Sequence, residues 1–231
     1  QASFTHAVAA AEGVVVDRAE IGEIGYMGHL VDLPAAEVQR LIAREEVSLA
    51  ICDDIMMVRP QSTVEFPVAA DPLDEPLPSP PGPEAQLTPV AALFDAMPVQ
   101  NHALLAGRLV VDDPDDLEAV SVVAERKHGT EMASLILHGD RNLREEPLSR
   151  PVYLRPVLYA PGGGRNEQPL RDRLLLDLIY QAVLRMKIGD AEGEATAPGV
   201  FIVNLSLGDR NRPYAGPISP WGRLLDYLAD R

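Results

Sequence analysis

The sequence predicts an α/β chain in two parts, a small α+β unit over residues 1–66 and a larger domain over 89–231 built on a mostly parallel sheet. Three observations carry this. Beyond Pro89, short apolar runs alternate with longer amphipathic ones, the pattern of buried strands joined by right-handed crossover helices. Residues 67–88 hold seven prolines, four acidic residues and no basic one, a composition that favours extended polyproline conformation and packs no core, so they read as an acidic Pro-rich linker. The whole chain has 231 residues, 46% of them hydrophobic, enough for one large or two modest cores.

In the first part, residues 2–12 read as a helix and 27–33 as an extended stretch. Asp32 and Pro34 then announce a second helix with Val38, Leu41 and Ile42 on its apolar face. Residues 49–52 and 55–58 read as two further extended runs. The order α, β, α, β resembles a ferredoxin-like fold lacking its first strand. His6 and His29 stand alone in this part and read as surface or satisfied polar positions.

In the second part, residues 90–94 form a continuous apolar run that ends on Asp95, the pattern of a strand buried on both faces. A second strand is expected over 108–111, closed by the acidic turn 112–116. A helix opens at His128 with Met132, Leu135 and Ile136 as its buried stripe. A strand over 154–160, a long amphipathic helix over 172–187, a buried strand over 199–204 and a helix from Trp221 to Leu228 complete the pattern.

Composition excludes several functions. A net charge of −15 repels phosphate backbones and anionic lipid, so nucleic acid and membrane are poor partners. The most apolar helical segment, 174–184, is interrupted by Asp177, and no run approaches a membrane span. One cysteine, Cys52, gives no disulfide framework and no cysteine metal site, and reads as a small core hydrophobe. The chain begins at Gln1 rather than methionine, which points to a trimmed or processed N-terminus; the expected setting is cytoplasmic, with secretion left open.

Catalytic side chains in parallel α/β sheets gather beyond the carboxyl ends of strands. Asp95 lies at such an end, and His128 opens the helix that follows the next strand. A helix N-terminus disfavours imidazolium, so the ring is expected neutral and able to accept a proton, as a general base must. Other constellations are weaker. The stretch Pro161-Gly162-Gly163-Gly164-Arg165 has no phosphate-binding fingerprint and reads as a loop. His128, Glu131 and His138 match no zinc spacing, and the acidic residues 112–116 read as a solvated turn rather than a calcium site.

Two segments, Val90-Ala91-Ala92-Leu93-Phe94-Asp95 and Asn101-His102-Ala103-Leu104-Leu105-Ala106-Gly107-Arg108, together resemble the aspartate motif of the subtilisin-like serine proteases. His128-Gly129-Thr130 resembles the start of that family's histidine motif, and Val203-Asn204-Leu205-Ser206-Leu207-Gly208 its Ile-Asn-x-Ser-x-Gly segment. The three occur in the family's order over about 120 residues, the aspartate before the histidine as in its catalytic order Asp, His, Ser. The resemblance implies that His128 relays a proton between a serine and the leaving amine, that Asp95 fixes its tautomer, and that Ser206, Leu207 and Gly208 pair with an extended peptide or protein substrate.

Departures accompany it. Asp95 is followed by Ala96-Met97-Pro98 where the family has Thr or Ser and then Gly, and Glu131 and Ser134 replace a histidine and a glycine of the helix motif. The residues contain neither the family's Gly-Thr-Ser-x-Ala nucleophile segment nor its Gly-Asn oxyanion donor. The expectation is therefore the first half of a subtilisin-like catalytic domain, inactive alone, preceded by a propeptide-like or interaction domain that contacts the catalytic domain or another protein. No cofactor is expected; the family likeness allows calcium without marking a site. The rival reading is a non-catalytic protein-binding module on the same fold, and a nucleotide-binding α/β domain comes third.

Overall fold

The computed structural model of the chain describes residues 2–61, 87–140, 143, 146–163, 166–208 and 218–230. The Pro-rich segment 67–88 lies outside them except for its last two residues, as do Gly164 and Arg165. The chain is mixed α/β and divides into two compact units, Gln1–Ser62 with Arg171–Asp177 and Pro217–Arg231, and Thr63–Leu170 with Leu178–Gly216.

In the first unit, α1 (Ala2–Ala10) leads into the antiparallel hairpin of β1 (Val14–Ile21) and β2 (Tyr26–Asp32), paired from Val14 opposite Asp32 to Ile21 opposite Tyr26. The connection is a 3-10 turn, Gly22–Ile24, ended by Gly25 at φ 58°, a left-handed conformation that suits glycine. Helix α2 (Ala35–Ile42) follows. A C-terminal helix, α6 (Pro220–Ala229), starts with Ser219 accepting the Gly222 N–H and Pro220 in the first turn, and packs on the 3-10 turn. The core holds Ala7, Val8, Ala11, Leu49 and Cys52, with Phe4, Val31, Leu33, Leu41 and Ile55 around it.

The expected order α, β, α, β is thus replaced by α, β, β, α. Strand β1 was not anticipated, because Val14, Val15 and Val16 run together without alternating and are all exposed. Residues 49–52 and 55–58 form no strand: 49–51 are a turn, and 55–58 are irregular with a bend at Met56. Asp53 and Asp54 split the apolar run, and Leu49 and Cys52, three apart, point into the core from a turn closed by the Ala50 N–H on the Val47 carbonyl.

The second unit is built on a parallel sheet in the order β4 (Leu109–Val111), β5 (Val152–Tyr159), β3 (Ala91–Ala96), β9 (Ile202–Asn204), with β6 (Gln168–Pro169) antiparallel on the end of β5. Between β4 and β5 come α3 (Leu117–Val120), a 3-10 turn at Val123–Glu125 and α4 (His128–His138). Helix α5 (Leu175–Lys187) belongs to this unit from Leu178 onward; a small hairpin of β7 (Gly189–Asp190) and β8 (Gly193–Glu194) follows it.

Helix α4 closes one sheet face, where Leu93, Met97, Leu105, Val152 and Leu154 pack with Ala133 and Leu137. Its buried stripe is shifted by about one residue from the expected one. Ala133 and Leu137 are inside, Met132 and Ile136 flank them, and Leu135 faces out. On the opposite face, Tyr153 donates a hydrogen bond to the Asp112 carboxylate, which also pairs with Arg185 at 3.1 Å. Arg155 pairs with Asp115, and Asp113 accepts the N–H groups of Leu117 and Glu118 at the start of α3. The acidic turn 112–116 is therefore spent on arginines and a helix cap.

The run 199–204 supplies a three-residue strand, not one buried on both faces. Ile202 and Val203 are 54% and 37% exposed, because among the described residues β9 pairs on one side only, with β3. No helix among the described residues is long and apolar enough to cross a membrane. Burial separates two substitutions. Leu154→Ala removes a fully buried side chain and is expected to cost about 2–5 kcal/mol in urea unfolding, whereas Ile202→Ala at the exposed edge stays within about 0.5 kcal/mol.

Candidate active site

Strand β3 carries Asp95 to the carboxyl edge of the sheet, where its side chain is 0% exposed. In β5 it stands opposite Pro156, which has no N–H for the ladder, and the register slips between Asp95 and Ala96. The Ala96 N–H turns instead to the Asp95 carboxylate and donates to Oδ1 at 2.7 Å. The same oxygen accepts from Nδ1 of His128 at 2.9 Å. A carboxylate oxygen only accepts, so the hydrogen sits on Nδ1 and the basic lone pair on Nε2.

Three neighbours hold the histidine there. A Cβ at Gly129 would lie 2.2 Å from the Ala96 carbonyl oxygen, so glycine is what lets the first turn of α4 press against the end of β3. The Thr130 hydroxyl accepts the Val99 N–H at 2.9 Å and donates to the Arg126 carbonyl, tying the loop after Asp95 to the loop before His128. Arg126 is buried and its guanidinium donates to the carbonyls of Ser121 and Glu118, which fixes that second loop.

Glu167, which sequence reasoning did not single out, caps the helix. Its carboxylate is 3% exposed, and Oε2 accepts the His128 N–H at 3.2 Å, with the Gly129 N–H as a further donor. One signal pointed to such a group. The residue before the helix is Lys127, which has no capping side chain, and the first N–H groups of a buried helix end require acceptors from elsewhere. Nothing in the sequence says that the acceptor lies 39 residues downstream.

The electrostatics reverse one expectation. Burial works against protonation of His128, but the hydrogen bond to Asp95 and the negative charges of Asp95, Glu167 and Glu131 outweigh it, and its pKa is raised. The helix end does not decide the matter, because it is crowded with acids. Burial, followed by the charge of Asp95, likewise raises Glu167, against the two backbone N–H groups it accepts.

The structure thus brings Asp95 and His128 into direct contact. Ser206, Leu207 and Gly208 follow β9, whose Asn204 stands level with Leu93, so they leave the neighbouring strand at the same sheet edge. The Ser206 hydroxyl donates to the Asn204 side-chain oxygen at 2.8 Å. His138 lies at the far end of α4 with Nε2 at 2.8 Å from the Leu104 carbonyl, and among the described residues no three His, Cys, Asp or Glu form a metal-holding group. Comparison with protein-family models, curated proteins and solved structures gave no match to this chain.

Gly129→Ala is expected to push α4 off β3, lowering the melting temperature by several degrees and separating His128 from Asp95, which shows as a downward shift of the His128 titration. The pH dependence of stability has a definite sign. His128 and Glu167 both hold a proton more tightly folded than unfolded, so their contribution is fully present below the ordinary values and lost as pH rises. The window opens near 4.5 for Glu167 and near 6.5 for His128 and closes at their raised folded values. Urea midpoints across this range are expected to fall with pH, and Asp95→Asn is expected to flatten the upper part.

Proposed function

We propose that this chain carries the acid–base pair of a subtilisin-like serine endopeptidase. The observation that supports it most is the contact between a fully buried carboxylate, Asp95, and Nδ1 of a histidine that opens a helix at the carboxyl edge of a parallel sheet. In this reading His128 takes the proton of a serine hydroxyl through Nε2 as the oxygen attacks a peptide carbonyl. It then returns that proton to the leaving amine. Asp95 keeps the ring in the Nδ1–H tautomer and stabilises the imidazolium between the two transfers. The backbone of Ser206, Leu207 and Gly208 pairs with the extended substrate beside β9, and Gly208 leaves room for it.

The nucleophile motif is absent from these 231 residues, so the chain by itself is proposed to bind but not to cut. The reaction as drawn uses no cofactor. The N-terminal residues 1–66 act as a propeptide-like or interaction domain, and a cytoplasmic setting accords with a single cysteine.

The test is labelling by a serine-directed fluorophosphonate of the protein expressed from its complete reading frame. Labelling is expected, with a drop of about a thousandfold or more in its rate in His128→Ala and Asp95→Asn. A folded protein that takes no label, or labelling indifferent to His128, overturns the proposal.

A further inference from the structure

Asp95 and His128 do not account for everything buried at this site. A second carboxylate, Glu167, is held 3% exposed at the first turn of α4, and its Oε1 is buried without a hydrogen-bond partner among the described residues. An ordinary cap does not need this. Ser, Thr, Asp or Asn at the residue before the helix accepts first-turn N–H groups from the surface, without moving an acid into the interior. Gln168 and Pro169, the next residues, are pinned as β6 against Tyr159 and Leu158, so the acid is delivered from a fixed strand and not from a mobile tip.

We propose that Glu167 is a positioning residue for His128: its carboxylate anchors the histidine's own backbone N–H and shares with Asp95 the charge of the imidazolium. The inference rests on the reading of His128 as a general base, and extends it to a residue outside the motif. The arrangement is asymmetric. Asp95 reaches the ring directly from β3, through Nδ1. Glu167 reaches the backbone at the base of the same side chain, from the segment leading into β6. The remaining charge bearing on the ring is Glu131, exposed on the histidine's own helix. When the ring gains a proton, both buried acids gain a favourable neighbour; when it loses the proton, they are left facing one another. Proton uptake by His128 is thereby coupled to the relief of that repulsion.

The test is a ring-nitrogen NMR titration of His128 in the 231-residue chain, alongside hydrogen exchange of the His128 and Gly129 amides. Glu167→Gln keeps an acceptor oxygen but removes the charge. It is expected to lower the proton affinity of His128 by about three- to tenfold while leaving amide exchange slow. Glu167→Ala, lacking both, is expected to lower the affinity similarly and to speed exchange of both amides. Glu167→Met, which buries no polar atom, reads the charge effect should the glutamine variant unfold. A His128 titration in the charge-removing variants that overlays the parent's overturns the inference and leaves Glu167 a helix cap only. Fluorophosphonate labelling decides the peptidase reading and this titration decides the role of Glu167, so the two can fail separately.

Discussion

The burial of Asp95 is the constraint on which the second unit is arranged. Removing a carboxylate from water costs several kcal/mol unless its oxygens are matched. Here Oδ2 is buried with no partner among the described residues, so Oδ1 carries the match, collecting the Ala96 N–H and the His128 imidazole. Meeting the second requirement brings a whole helix to the strand end. It explains why the turn from 118 to 126 is drawn tight around the Arg126 guanidinium, and why the Thr130 hydroxyl stitches both loops together. The apolar packing of α4 on Leu93, Val152 and Leu154 supplies the binding energy for docking the helix. The polar end decides where along the strand it docks.

The two faces of the sheet handle charge in opposite ways. On the α5 side, Asp112 and Asp115 are neutralised by Arg185 and Arg155 and the result is static. On the α4 side, Asp95 accepts from the His128 imidazole and Glu167 from the backbone N–H of the same residue, with no arginine or lysine paired to either among the described contacts. An arrangement short of one positive charge answers to protonation, and this is the chemical difference between a structural network and a site.

Much of the larger unit was legible in the sequence, because strands buried on both faces write themselves as unbroken apolar runs. Residues 90–94 gave β3, and the run through Leu154 gave β5. Asp95 and His128 were legible as a pair because both sit where chain direction alone places the edge of a parallel sheet. The smaller unit was harder to read. Its first strand opens on three exposed valines with no alternation, while Leu49 and Cys52 reach the core at a three-residue spacing that the apolar run around them conceals. Glu167 was invisible for a different reason. Its role comes from a long-range contact with a helix that lacks its own cap, and neither end of such a contact carries a local pattern. The direction of the His128 shift is hidden from the sequence because helix polarity is a local rule, and three acids from two other segments and its own helix override it.

The close approach at Gly129 differs in kind from the other contacts of the site. A lost side-chain partner is open to repair by a reciprocal change, as when a larger residue fills a hole left by a smaller one. The atom that meets Gly129 is the carbonyl oxygen of Ala96, which every amino acid at that position would present in the same place. No second substitution at residue 96 therefore makes room for a side chain at 129. Suppressors of a change there have to relocate a strand end or a helix as a whole, which makes this the least correctable position in the site.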